Sequence, residues 1–237
     1  MTDDQSSMRS IITPDDQTLR KVFNTQKAYY IDIYQREYKW AKENVDTLLN
    51  DFAVQFELTQ RTKTDPRDIQ TEVLEKFEPY FLNTYLTHST AMNVSIVDGQ
   101  QRLTTLLLIL IKFYRILQDI ESDGNYSGTT FNSEIISKLI FESDDFGQAT
   151  RFKIYNENRE EVFRNLVEDR EIHPTDETQR KIKENYQLIS NYYDKFLAMK
   201  DVSDRYDLVK LTYYITYLLD RVSIVEIKIE KQKNVAM

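Results

Sequence analysis

Five consecutive residues, Asp98-Gly99-Gln100-Gln101-Arg102, combine a carboxylate, the one glycine in the first half of the chain, two amides and a guanidinium. The run Asn93 to Val97 before them is strand-forming, and a long apolar run follows, so the motif reads as a strand-to-helix turn. The first turn of a helix leaves backbone N–H groups unpaired and carries partial positive charge, which makes it an anion site. Gly99 lets the backbone turn sharply and approach a ligand without a Cβ in the way. Gln100 and Gln101 add donors, and Arg102 adds a planar fork suited to phosphate oxygens. Asp98 at the strand end can hold Mg²⁺, directly or through water, or orient an attacking water. The plainer alternative is that Gly99 only makes a turn while Arg102 pairs with Asp98 or Glu37.

A second constellation, Tyr34-Gln35-Arg36-Glu37-Tyr38-Lys39-Trp40, supplies two cations among flat aromatic faces. Such interleaving can hold a phosphate and stack a base. Arg36 can meet Arg102 across a single anion; the alternative is that Trp40 and Tyr38 are packing residues, and for Trp40 packing is the simpler reading. The tyrosines at 186, 192, 193, 213, 214 and 217 recur at helical spacing and read as interhelical packing. The acidic stretches Asp144-Asp145 and Glu157 to Glu161 read as solvated faces or turns. No Walker lysine loop, dinucleotide glycine fingerprint, or serine or cysteine nucleophile motif is present.

The elements that must position these groups follow from pattern. Thr13-Pro14-Asp15-Asp16 predicts a helix start, with Leu19, Val22 and Phe23 on its buried face and its end near Asn24. Ala28 to Ile33 reads as a strand, Glu43 to Leu58 as a helix, residues 60–72 as a charged loop, and Glu78 to Thr87 as a strand. Gln101 to Ile120 is apolar nearly all round and therefore central and buried. After a Gly/Ser/Asn loop over Ser122 to Thr130, Ile135 to Phe141 and Arg151 to Tyr155 suggest a hairpin around Asp144-Asp145-Phe146-Gly147. Helices are expected over Arg159 to Val167, Thr175 to Met199 and Ser203 to Leu219, then a half-buried strand over Arg221 to Ile229.

The fold class is thus α+β, a small mixed sheet with packed helices followed by a mainly helical part. The expected organisation is a flexible leader at 1–12, a nucleotide-binding core at 13–122, and a mainly helical part at 123–237 whose last strand returns to the core. Charged residues make up 30% of the 237 residues, with only four glycines and four prolines, which favours helix. The absence of cysteine excludes disulfides and thiolate zinc sites, and His88 and His173, both expected at the surface, leave little for a histidine metal centre. A net charge of −8 argues against a surface that clamps duplex DNA along its length. The polar, acidic start carries no signal peptide, and the apolar run Leu106 to Ile111 is too short to span a bilayer, so a soluble cytoplasmic protein without membrane contact is expected.

Two segments, Tyr34 to Trp40 and Val97-Asp98-Gly99-Gln100-Gln101-Arg102-Leu103-Thr104-Thr105-Leu106, together resemble the signatures of a widespread bacterial family. The family is typified by the N-terminal domain of GmrSD-type, modification-dependent (type IV) restriction enzymes, related to the ParB and sulfiredoxin fold. The resemblance covers most of residues 13–237, most closely to about residue 120. It implies a ParB/sulfiredoxin-like core that binds and hydrolyses GTP or another NTP with a divalent metal, and that controls a DNA-cleaving half in phage defence. The matching positions are Asp98, Gly99, Gln100, Gln101 and Arg102, with Tyr34, Gln35 and Arg36 from the first motif; Asp98 would be the metal ligand. The partners implied are a nucleotide, a nuclease domain or partner protein, and DNA reached through that half or an oligomer. The family usually continues into a His-Asn-His nuclease domain and an Asn-Arg-Gly segment, which this chain lacks, so a fragment, a truncated product or a stand-alone subunit is expected. Two other functions fit the same residues: a non-catalytic module sensing a nucleotide or modified DNA, and a ParB-like DNA nuclease.

Overall fold

The alternating stretch at the end of the sequence forms a strand, Val222–Ile229, that lies inside the sheet rather than at its margin. A computed structural model of the chain describes residues 12–25, 28–32, 37–60, 77–90, 93–123, 131–143, 149–199 and 202–229. Its strands are β1 (Ile12–Thr18), β2 (Tyr29–Tyr30), β3 (Tyr80–Ser89), β4 (Val94–Asp98), β5 (Phe141–Ser143), β6 (Ala149–Phe152), β7 (Ile154–Tyr155), β8 (Ala198–Met199), β9 (Val202–Tyr206) and β10 (Val222–Ile229). The helices are α1 (Leu19–Phe23), α2 (Lys42–Gln60), α3 (Gln100–Ser122), α4 (Ser133–Ile140), α5 (Glu157–Val167), α6 (Glu177–Phe196) and α7 (Leu208–Arg221). Six strands make one mixed sheet in the order β1-β10-β3-β4-β2-β7, and β5–β6 and β8–β9 form two small pairs. The class is α+β, a mixed sheet with helices packed on it. Among the described residues no helix is long and apolar enough to cross a membrane.

Several elements differ from the sequence expectation, each for an identifiable reason. The helix start expected at Thr13-Pro14 is instead β1, antiparallel to β10. Proline lacks a ladder donor but is tolerated here because β1 is an edge strand. The cap moves to Thr18, whose side chain accepts from the Lys21 N–H, and Leu19, Val22 and Phe23 are buried on α1. The hairpin expected from Ile135 is a helix up to Ile140, with Asn132 as N-cap and Ile136, Leu139 and Ile140 buried at helical spacing. Only β5 and β6 pair there, and the Asp144 to Gly147 turn lies outside the described residues. Helix Ser203 to Leu219 begins later, at Leu208, where Asp207 accepts from the Lys210 N–H; the preceding residues pair as β9 with β8. The strand expected over Ala28 to Ile33 is reduced to Tyr29–Tyr30. The loops expected at 60–72 and 122–130 fall almost wholly outside the described residues. His88 is half-buried rather than at the surface, with Nε2 enclosed and lacking a hydrogen-bond partner, while His173 is exposed.

Helix α3 forms the centre of the molecule, with Leu103, Leu106 to Ile111, Phe113, Ile116 and Leu117 all buried. Aromatic rings from four other elements fill the space beside it. Phe56 of α2 stacks on Phe77 at 5.7 Å between centroids and meets Tyr214 of α7 edge-on at 5.0 Å. Tyr193 of α6 shares a hydroxyl contact of 3.3 Å with Tyr214. These tyrosines are packing residues, as their spacing suggested. Burial raises the Tyr193 and Tyr214 pKa values far above the ordinary phenol range, so both stay neutral and act as hydrogen-bonding core residues.

One position decides how α3 can leave the sheet. Gly99 has φ +90°, and a Cβ built on it would stand 2.6 Å from Tyr85 Cβ and 3.2 Å from Tyr85 Cα on β3. The residue must therefore be glycine for two independent reasons, a left-handed backbone and an occupied space. Gly99→Ala is expected to lower stability by at least about 2 kcal/mol, since backbone strain alone costs about 1–3 kcal/mol and the clash lies against backbone. In urea denaturation, Phe56→Ala is expected to cost about 3–5 kcal/mol, whereas Val54→Ala on the exposed face of α2 should stay within about 0.5 kcal/mol. An alanine at 99 that melts like the parent chain would contradict the close approach of α3 to β3.

Candidate functional site at the amino end of the central helix

The turn between β4 and α3 opens onto a cleft of about 310 Å³ lined by Lys39, Trp40, Asp98, Gly99, Gln100, Gln101 and Arg102. The structure thus brings together all five residues Asp98 to Arg102 with the end of the Tyr34 to Trp40 segment. Tyr34, Gln35 and Arg36 lie outside the described residues.

Helix α3 starts without a side-chain cap: Gly99 occupies the N-cap position and offers none, and the first turn holds no acidic residue. The Gly99 carbonyl accepts from the Leu103 N–H at 3.0 Å, so the ladder begins there and the amides of Gln100, Gln101 and Arg102 have no intrahelical acceptor. An uncapped 23-residue helix therefore directs its positive end into the cleft.

The three polar side chains that follow Gly99 do different things. Gln100 is 7% exposed, lines the cleft, and leaves its Oε1 without a hydrogen-bond partner. A buried unpartnered amide oxygen is costly, which makes it a candidate for a water, a cation or a ligand N–H. Gln101 is already committed: its Oε1 accepts from the N–H groups of Lys39 at 2.8 Å and Trp40 at 3.3 Å, and its Nε2 donates to the Glu37 carbonyl at 2.8 Å. Its amide thus pairs with the loop backbone as a neighbouring strand would, which fastens the end of one motif to the start of the other.

Arg102 is half-buried, and its Nη1 donates to the Thr84 carbonyl at 2.9 Å. Burial holds its pKa below the ordinary arginine value, with the Asp98 charge opposing that shift. It pairs directly with neither Asp98 nor Glu37; Glu37 pairs with Lys39 at 3.3 Å. A partly desolvated cation of this kind gains most from an anion that enters the cleft. Asp98 itself is exposed at the end of β4.

Tyr38 and Trp40 separate clearly. Tyr38 is fully buried, with its hydroxyl 2.7 Å from Thr105 Oγ1, and its pKa is raised by burial. It packs and cannot stack a ligand. Trp40 is half-buried, packed against the core on one side and lining the cleft on the other.

Three further residues support the site that the local motifs gave no reason to single out. Thr178 and Asn185 on α6 bond the loop backbone, and the buried Arg159 on α5 donates to Thr104 Oγ1 at 3.0 Å beneath α3. Burial brings the Arg159 pKa down to about 10. The only sequence signal for them is a polar residue on the buried side of a helix, which periodicity alone does not separate from a satisfied core group.

Among the described residues no cluster of three or more His, Asp or Glu is placed to hold a metal. Mg²⁺ is commonly held by one or two carboxylates together with substrate phosphates and water. Asp98, an exposed carboxylate lining the cleft, is compatible with that smaller donor set.

No curated protein matches the chain. A family model described as "GmrSD restriction endonuclease, N-terminal domain" matches residues 19–237, which takes in the sheet from α1 onward, the cleft and the helices around it. With nearly the whole chain covered, the protein belongs to the family of GmrSD restriction endonuclease N-terminal domains.

Proposed function

We propose that the cleft binds a nucleoside triphosphate and hydrolyses it with Mg²⁺, and that this activity regulates a DNA-cleaving half in bacterial phage defence. The observation that carries the reading is the uncapped amino end of α3, with the half-buried Arg102 guanidinium lining the same cleft. Phosphoryl transfer needs positioning and charge stabilisation more than covalent chemistry. The backbone amides after Gly99 and the Arg102 guanidinium would hold phosphate oxygens. Bound Mg²⁺ would neutralise charge on the phosphates, and Asp98 would hold it or position a water. Gln100 would orient the attacking water through its free oxygen. Gln101 serves by holding the loop, since its amide is already used. Arg36, with Tyr34 and Gln35, would complete the phosphate contacts from the first motif.

The membership of the chain in a restriction endonuclease family supports DNA and a nuclease domain or partner protein as the other participants. Acidic composition fits a regulatory module better than a DNA clamp. A specific observation favours one second reading. Among the described residues Asp98 is the single carboxylate lining the cleft, and a site with so little metal-binding capacity could sense a nucleotide or modified DNA without turnover. The same sparseness ranks a ParB-like nuclease lowest, because nucleic-acid cleavage by metal ions commonly uses paired cations and several carboxylates.

The test is phosphate release with each of the four NTPs, with and without Mg²⁺, for the chain and its Arg102→Ala variant. The variant is expected to lose about 3 kcal/mol of transition-state stabilisation, a fall of about a hundredfold or more in kcat/KM. Binding without release would favour the sensor, and no binding of any nucleotide would remove the nucleotide reading for this chain. Nicking of plasmid DNA by the purified protein would promote the nuclease. Asp98→Asn is expected to abolish Mg²⁺ dependence while leaving nucleotide affinity within about tenfold, as isothermal titration would show.

A further inference from the structure

The segment 37–41 has no regular secondary structure, yet side chains from two helices bond its backbone from opposite sides. On the cleft side stands Gln101 of α3, with its three contacts to Glu37, Lys39 and Trp40. On the other side stands α6. Thr178 Oγ1 accepts from the Tyr38 N–H at 3.2 Å, and Asn185 Nδ2 donates to the Trp40 carbonyl at 2.9 Å and to the Tyr38 hydroxyl at 3.1 Å.

Asn185 is the informative member. It is 2% exposed, in the middle of a 20-residue helix. Asparagine there is a weaker helix former than an apolar residue and must satisfy a buried amide. Its two side-chain hydrogen bonds to these groups reach residues 145 and 147 positions away in the chain, on the loop. Its polar group therefore serves the loop rather than the helix. The loop in turn carries Trp40, the only tryptophan in the chain and a wall of the cleft.

We infer that Asn185 is a positioning residue for the cleft: through the Trp40 carbonyl and the Tyr38 hydroxyl it sets where Trp40 and Lys39 stand relative to the amino end of α3. Its meaning for nucleotide turnover rests on the function proposed above; its effect on Trp40 does not. Because Gln101 grips the loop from the cleft side only, loss of Asn185 leaves the Trp40 carbonyl without its buried donor, and the ring wall is free to shift outward.

Trp40 reports this directly. Emission maximum and acrylamide quenching under tryptophan-selective excitation should be measured for the parent chain, Asn185→Ala, Asn185→Asp and Tyr193→Phe. The last removes a hydroxyl contact two turns further along α6 and away from the loop. Quenching in both Asn185 variants is expected to rise about twofold, and the nucleotide KM about fivefold with a smaller change in kcat, consistent with one lost buried hydrogen bond. Tyr193→Phe should lower the melting temperature and leave Trp40 and KM as in the parent. Asn185→Asp keeps the shape of the side chain but turns an acceptor toward the Trp40 carbonyl, and where one of the two variants does not fold the other is the readable one. Unchanged Trp40 emission and quenching in either folded Asn185 variant would overturn the inference, as would an equal change in Tyr193→Phe. If the parent chain binds no nucleotide, the proposed function fails while the Trp40 comparison still decides the role of Asn185.

Discussion

Everything at the candidate site depends on how closely α3 approaches β3 as it leaves the sheet. Gly99 stands against the Cβ and Cα of Tyr85 with no room for a side chain. That approach lets the Arg102 guanidinium reach the Thr84 carbonyl on the same strand, and it opens the amino end of α3 toward the cleft. The same constraint fixes the rest of the fold, because α3 is the helix around which the apolar side chains of α2, α4, α5, α6 and α7 are packed. A helix buried on nearly every face cannot slide along its axis without emptying its neighbours' contacts, so the turn at Gly99 is held from both ends.

The polar groups around this helix divide into those that are satisfied and those that are not. On the sheet, the buried Glu226 accepts from Gln17 and Thr87, and the Tyr29 and Tyr85 hydroxyls meet at 3.1 Å. That network is closed and ties β1, β10, β3 and β2 together. At the loop, Gln101, Thr178 and Asn185 likewise spend their hydrogen bonds on backbone. At the cleft, the accounting stops short: the first amides of α3 lack intrahelical partners, Gln100 Oε1 has none, and Arg102 is partly desolvated without a direct salt bridge to Asp98 or Glu37. Buried polar groups in folded proteins are almost always paired, so an unpartnered amide oxygen next to an uncapped helix end and a partly desolvated cation is a place where a ligand would lower the free energy.

The turn and its helix were legible in the sequence because their signals were strong and local: one glycine, a strand-forming run, and about five helical turns with apolar residues on nearly every face. The reason for the glycine was not. Sequence reasoning assigned its missing Cβ to an approaching ligand, whereas the space is taken by Tyr85, a residue whose position depends on strand register. The helix start at Thr13-Pro14 was a sound local reading defeated by pairing, since β10 draws residues 12–18 into an edge strand where proline costs little. At Ile135 to Ile140 the composition was β-branched but the burial period was helical, and period decided the outcome. Gln101 and Asn185 were the least legible. A glutamine that bonds backbone and one that leaves an oxygen free look identical in a sequence, and only the distance to the loop separates them.

An acidic chain that offers an anion site seems at first a contradiction, and the range of electrostatic forces resolves it. The net charge of −8 acts at long range and is screened within about 8–10 Å at physiological salt. The amino end of α3 and Arg102 act at contact, where partial burial weakens the screening. A polyanion such as duplex DNA meets the repulsive outer field along its whole length and gains only one small positive cleft. A compact anion meets that field over a single approach, and bound Mg²⁺ would remove two of its charges before it arrives. The same distribution makes this surface a poor clamp for DNA and is compatible with the small, metal-complexed phosphate proposed as the ligand. A DNA-cutting half would have to bring its own basic surface.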